Sequence, residues 1–150
     1  METTLIILKP DAVQRGLCGD ILHRFERKGL TIVAMNMMLI SKEQAEKHYE
    51  EHKGKPFFDG LIRFVTSSPV IVLAVRGQNA IMVCRKLIGA TNSQMAEPGT
   101  IRGDLGMSGS NNLVHGSDSP ESAERELNLW FPDGNFDTTD RTKDEWVYGL

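Results

Sequence analysis

The chain has 150 residues, 40% of them apolar and 25% charged, which suits one globular domain, residues 1–150, with a core that needs no staples. A net charge of −3 argues against nucleic acid as the main partner, and no apolar run nears the roughly 18 residues of a membrane span. Cys18 and Cys84 have no metal-ligand spacing and imply no disulfide framework; with no leader-like start, they predict thiols in a cytoplasmic protein.

Thr4–Lys9 reads as a short buried strand stopped by Pro10. Lys9, a cation at a strand end beside a turn, is either solvated or set to hold a phosphate. A helix follows, with Asp20 as its cap, Ile21, Leu22 and Phe25 on one face, and Gly29 as its stop. Leu30–Ile40 is the next strand, and its Met35, Met37 and Met38 serve as core or interface filler. Ser41 and Gln44 form a capping box for a helix bearing Ala45, His48, Tyr49 and His52 at helical spacing. Two histidines four apart could bind a metal. No third ligand is in view, and a wet or subunit-facing helix side fits them better. After Gly54-Lys55-Pro56, an amphipathic helix carries Phe58, Leu61, Ile62 and Val65. Phe57 lies off that stripe, either as a stacking surface for a flat ligand or as an exposed ring.

Ser67-Ser68-Pro69 is a turn, and the apolar run Val70–Val75 reads as a strand covered on both faces. Asn79 is a candidate cap for a helix with Ile81, Cys84, Leu87 and Ile88 inward and Gly89 at its end. Arg85 points elsewhere and on its own is a surface charge. From Thr91 to Asn111 periodicity is lost, and glycines fall at 99, 103, 106 and 109. A loop of about 20 residues in a compact domain is functional or disordered. Its glycines can let amides approach an anion and Arg102 can grip one; the alternative is a mobile surface loop.

His115 closes that loop just before a helix with Ser119 as N-cap and Pro120 at its first position. A neutral imidazole fixed at such a junction can act as nucleophile or base. A lone histidine beside Leu113 and Val114 also reads as a satisfied structural residue. Ser117 and Asp118 are near enough in sequence to hydrogen-bond and steer charge. The last helix carries Ala123, Leu127, Trp130 and Phe131 at helical spacing; Glu126, nearly two turns in, either orients the histidine or is solvated. The tail from Pro132 to Leu150 is polar until Trp146-Val147-Tyr148, which predicts docking on its own domain or on a neighbouring subunit. The sum is four strands and about five helices, in the order βαβααβα-loop-βα. That is an α+β chain resembling a ferredoxin-like split βαβ sandwich, a four-stranded antiparallel sheet covered by helices, expected on one face.

There is no P-loop, no Gly-x-Gly-x-x-Gly after a strand and no Gly-x-Ser-x-Gly elbow. Phosphate chemistry here therefore needs side-chain cations and one nucleophile. Lys9, Arg85 and Arg102 offer positive charge, and Thr91 and Asn112 offer neutral donors. A magnesium ion bridging phosphates would carry the rest, helped by Asp118 through water.

The run Asn112-Leu113-Val114-His115-Gly116-Ser117-Asp118-Ser119 resembles the active-site signature of the nucleoside diphosphate kinases. Two further motifs resemble that family in the same order: Leu5-Ile6-Ile7-Leu8-Lys9-Pro10-Asp11-Ala12-Val13-Gln14-Arg15-Gly16, and Thr91-Asn92 followed by Pro98-Gly99-Thr100-Ile101-Arg102-Gly103-Asp104. The resemblance implies that His115 is phosphorylated in a ping-pong exchange between nucleoside tri- and diphosphates that maintains triphosphate pools. It places Lys9, Tyr49, Arg85, Thr91, Arg102 and Asn112 around the phosphates and ribose, and Phe57 on the base. Ser117 and Glu126 position the histidine. It also implies broad base tolerance, Mg²⁺ arriving with the nucleotide, and a homo-tetramer or homo-hexamer built from a shared dimer. The sequence departs from the family at two places. Gly109 stands where many relatives close the base sandwich with an aliphatic residue. Ser93 stands where many hexameric members carry a proline in the trimer-contact loop. The competing reading is a catalytically weak, oligomeric nucleotide-binding or regulatory protein on the same fold; the retained His115, Lys9 and Arg102 argue against it.

Overall fold

The strands of this chain are its β-branched and aliphatic runs, and the longest of them fix the sheet. The computed structural model describes residues 1–149; Leu150, the last residue of the tail, lies outside the described residues. Strand β1 (Glu2–Leu8) runs into α1 (Pro10–Gln14) and α2 (Cys18–Lys28), then β2 (Thr31–Met38). Next come α3 (Lys42–His48), a 3-10 turn (Glu50–His52), α4 (Phe58–Val65), β3 (Val70–Gly77) and α5 (Ala80–Ile88). The chain closes with α6 (Ile101–Leu105), β4 (Val114–Gly116), α7 (Pro120–Trp130) and α8 (Asp144–Tyr148). The sheet order is β2-β3-β1-β4, with every neighbouring pair antiparallel. This is the expected α+β, ferredoxin-like arrangement.

Helices cover both faces of the sheet, not one. Alternate residues of β1 and β3 enter two separate cores. Ile6, Leu8, Leu73 and Val75 pack with Ile21, Phe25 and Ile88 of α2 and α5. Leu5, Ile7, Val70 and Val72 pack with Tyr49, Phe58, Ile62 and Trp130 on the other side. A strand that is apolar at every position has to be covered twice, which the run Val70–Val75 already announced.

Local signals explain most helix ends. Gly29 closes α2 at φ 109°, where a Cβ would meet Val147 Cγ1 at 2.5 Å. The Ser41–Gln44 capping box forms, and Ser119 Oγ accepts from the Ser122 amide at 3.1 Å with Pro120 at N1. Three expectations fail. α2 starts at Cys18, and Asp20, inside its first turn, pairs with Arg24 at 2.8 Å. Asn79 does not cap α5: its φ is 50°, and the free Ile81 amide donates to Glu2 Oε1 at 2.8 Å, a cap supplied from β1. The 91–111 stretch contains α6, capped by Thr100, whose Oγ1 accepts from the Gly103 amide.

Candidate active site

Lys9 is the N-cap of α1 at the end of the central strand, and its amide donates to the Leu113 carbonyl at 2.8 Å. The Leu113 amide in turn donates to Asp11 Oδ2 at 3.1 Å. Between these two clamps Leu113 takes φ 72°, a left-handed conformation costing a non-glycine residue of order 1–3 kcal/mol. The strained residue leads straight into β4, where His115 sits opposite Ile7. A three-residue edge strand beside the central strand thus gives the imidazole a rigid base.

Glu126, on the α7 face that looks back at the sheet, is buried and accepts from His115 Nε2 at 2.5 Å and from Ser117 Oγ at 3.1 Å, both on Oε1. An ionised carboxylate only accepts, so Nε2 carries the ring proton. Nδ1 keeps its lone pair and has no hydrogen-bond partner among the described residues. His115 lines a cavity of about 950 Å³ that also takes in Lys9, Tyr49, Phe57, Arg85 and Arg102.

The cations are held in three ways. Lys9 Nζ is buried and donates to Asn112 Oδ1 at 2.8 Å. Burial, then the positive charge of Arg102, brings its pKa down to about 8, with Asp11 opposing. Arg102 spends three of its five N–H donors on carbonyls: Nε on Asn112 at 3.1 Å, Nη1 on Gly89 at 3.1 Å and Nη2 on Val114 at 2.6 Å. Burial, then Arg85, lowers it to about 10, so it stays charged at neutral pH. Arg85 projects from the outer side of α5 and ties only Nη1, to Gly116 O at 3.2 Å.

Asn112 is held by the loop around it. Its amide nitrogen already donates to Thr91 O at 2.9 Å and faces Gly109 O at 3.5 Å, so it braces Lys9 against the loop. Thr91 lines the cavity. Tyr49 is buried, which raises its phenol pKa and keeps the hydroxyl protonated. Asp118 is exposed on the cavity, its carboxyl held below the usual range first by the Ser122 hydroxyl at 2.8 Å. One such carboxylate among cations cannot cage a metal but suits one already carried on phosphates.

At the far end of the cavity Phe57 is 53% exposed, off the buried face of α4 as its sequence position predicts. His52 lies against it with ring centroids 5.3 Å apart, and Lys55 Nζ is 5.8 Å from its ring. Opposite in sequence terms, Gly109 offers open space: a Cβ there would meet nothing closer than the Asn92 amide at 3.8 Å. Of the loop's other glycines, Gly99 gives its amide to the Asp104 carboxylate at 2.8 Å. Gly103 and Gly106 exist for packing, since a Cβ would strike Glu97 O at 1.9 Å or Ser93 Oγ at 2.3 Å. Ser93 is buried and its amide donates to Ser108 O at 3.4 Å, a bond a proline could not make.

The reading of His48 and His52 as one wet helix side does not hold. His52 contacts Lys55 outside, while His48 is buried and accepts from Trp130 Nε1 at 3.0 Å. Sequence reasoning also missed Asp11, whose carboxylate holds Leu113. The signals were an acid two residues past a strand end, and an indole N–H on the last helix in need of an acceptor.

An imidazole with one pinned and one free nitrogen, set among buried cations with an aromatic ring at the cavity's rim, is the equipment of a nucleotide phosphotransferase. The family model for nucleoside diphosphate kinase matches residues 2–136. Nucleoside diphosphate kinases of Archaeoglobus fulgidus and Thermosynechococcus vestitus are each 53% identical, over 99% of this chain and 98% of the first relative, and over 100% of both chains for the second. The structure of a halophilic nucleoside diphosphate kinase from Halobacterium salinarum in complex with CDP superposes with a TM-score of 0.95 at 49% identity, covering 98% of each chain. The chain belongs to the nucleoside diphosphate kinase family, whose activity is transfer of the terminal phosphate of a nucleoside triphosphate to a nucleoside diphosphate. No helix among the described residues is long and apolar enough to cross a membrane.

Proposed function

We propose that residues 1–150 act as one nucleoside diphosphate kinase unit in which His115 Nδ1 is the nucleophile. The observation that carries this is the pairing of His115 Nε2 with Glu126, which leaves Nδ1 as the reactive nitrogen. The Nδ1 lone pair attacks the terminal phosphorus of the triphosphate. The N–P bond forms as the bond to the bridging oxygen breaks, and the leaving diphosphate keeps the electron pair. A second diphosphate then attacks the phosphohistidine and restores the free ring. Glu126 and Ser117 hold the ring proton in place while positive charge builds on the imidazole.

Lys9, Arg85 and Arg102 neutralise the phosphate oxygens, and Tyr49, Thr91 and Asn112 line the phosphate and ribose path. Phe57 stacks on the base, and a ring face reads no base identity, which supports broad nucleoside tolerance. Mg²⁺ arriving with the nucleotide would neutralise phosphate charge, and Asp118 is the carboxylate that would help hold it.

The protein works in the cytoplasm as a homo-oligomer. Support for assembly comes from the open edge strand β2, which carries Met35 and Met37, each 59% exposed, followed by Leu39 at 63%. Trp146, 90% exposed on α8, adds a second unpartnered surface. Initial-velocity kinetics with ATP and dTDP test the mechanism: parallel double-reciprocal lines are expected, and intersecting lines would replace the phosphohistidine with direct transfer.

A further inference from the structure

His48 takes no part in the chemistry above, yet it is 4% exposed and its ring meets that of His115 edge-on, with centroids 4.7 Å apart at 81°. Its Nδ1 accepts from Trp130 Nε1 at 3.0 Å. An indole nitrogen only donates, so His48 Nδ1 must carry the lone pair. Burial first, then the electrostatic influence of His115, Arg125, Lys9 and His52, holds the ring neutral by pushing its pKa well below 6.5. Its single proton therefore sits on Nε2.

One polar atom from each of His48, His115 and Glu126 lies within 4.8 Å of the others. A metal taken by His48 through Nε2 would drive the ring proton onto Nδ1, against the Trp130 N–H, and one taken through Nδ1 would displace that N–H, so the indole disfavours a metal there. Glu126 grips His115 through a single hydrogen bond at Nε2, which sets that corner of the ring but not its tilt. A misplacement of the order of 1 Å at the attacking atom is enough to cost about 100-fold in rate.

We propose that His48 is a positioning residue for phosphoryl transfer: fixed by Trp130 as its Nε2–H tautomer, it braces the His115 ring edge-on so that Nδ1 stays aimed at the incoming phosphate. The brace has to be uncharged, because the His115 ring gains positive charge as the N–P bond forms. The groups that face His48 are Tyr49 and His52 from its own segment, Lys9 from the end of β1, His115 from β4, and Arg125, Glu126 and Trp130 from α7. Arg125 Nη2 also reaches the His48 carbonyl at 3.5 Å, which fixes the turn that carries the ring. The inference rests on His115 as the nucleophile.

Single-turnover phosphorylation by γ-labelled ATP, measured on the full chain with steady-state KM, tests it in His48→Asn, His48→Gln and Trp130→Phe. His48→Asn should slow phosphoenzyme formation by about 10- to 100-fold while the KM for ATP stays nearly unchanged. Gln, whose amide N–H reaches the Nε2 position, should recover most of the rate, and Trp130→Phe should fall between them. Nitrogen-15 NMR of the unsubstituted protein should show His48 with a proton on Nε2 and none on Nδ1 between pH 6 and 8. A His48→Asn rate equal to wild type, a His48 proton on Nδ1, or equal losses in kcat and KM that Gln does not rescue would each overturn the proposal. Failure of the wild-type protein to take label at all would overturn the nucleophile assignment and this inference with it.

Discussion

The two ends of the cavity are built by opposite means. At the end proposed for the phosphates the polar groups are held: Lys9 is buried on Asn112, Arg102 is bolted to three carbonyls, Arg85 reaches Gly116 O, and His115 is paired with Glu126. At the end proposed for the base Phe57 is more than half exposed and Gly109 faces open space. The first end carries buried charge and a strained Leu113, costs that the rest of the fold must offset. The second end carries almost none. Chemistry that is the same for every nucleotide is given rigid parts, and the part of the ligand that varies is given loose ones. Free energy lost by substitution should therefore fall steeply from one end to the other.

The largest effect is expected at the nucleophile. His115→Ala should lower kcat by at least about 10⁴-fold and abolish phosphoenzyme, while nucleotide still binds by calorimetry. Lys9→Met comes next. It removes a preorganised phosphate donor and strands Asn112 Oδ1, and kcat/KM should drop by about 10²- to 10³-fold. Residual activity above a tenth of wild type would show that the buried ammonium is structural.

The same lysine predicts a pH dependence with a definite sign. With its pKa lowered to about 8, the free enzyme holds a charged ammonium below that pH and loses it above. kcat/KM should therefore fall as pH rises past 8, since this parameter reports the free enzyme. Lys9→Arg should flatten that alkaline limb, whatever its activity at neutral pH. An alkaline limb unchanged in Lys9→Arg would remove Lys9 as its source.

At the base end the effects shrink. Phe57→Ala should raise the nucleotide KM by about 5- to 50-fold, the loss of one stacked base, with kcat held within a few-fold. Gly109→Val should do the reverse, tightening nucleotide binding by a few-fold at unchanged kcat. The nearest atoms to its Cβ, in the Asn92 amide, are 3.8 Å away, so a side chain has room. An affinity identical to wild type would mean that the missing wall is not what loosens this end.

Much of this division was legible in the residues themselves. Apolar runs marked the strands, the 3.6-residue period marked the long helices, and the Ser119-Pro120 and Ser41–Gln44 caps set helix starts to the residue. His115, Lys9, Arg102 and Phe57 stood out by chemistry and by resemblance. What stayed hidden depends on partners far away in sequence. Nothing near Asn79 says that Glu2 will cap α5 from 79 residues away. Nothing near His48 says that Trp130, 82 residues on, will turn it inward. α6 is five residues long and contains Gly103, so no periodicity could announce it. Asn112 and Arg102 were recognisable as polar groups at the site, but how many of their donors would be spent on backbone carbonyls is decided only by the packed loop.

If His115 Nδ1 carries the phosphate between two nucleotides, the phosphorylated protein can be trapped. The protein is mixed with Mg²⁺ and ATP labelled on its γ-phosphate, without diphosphate, then chased with GDP or dCDP. The expected result is acid-labile, alkali-stable label that maps to His115 and moves to the added diphosphate. Label that never forms, or that stays on the protein through the chase while nucleotide binds, would contradict it and leave a nucleotide-binding protein on the same fold.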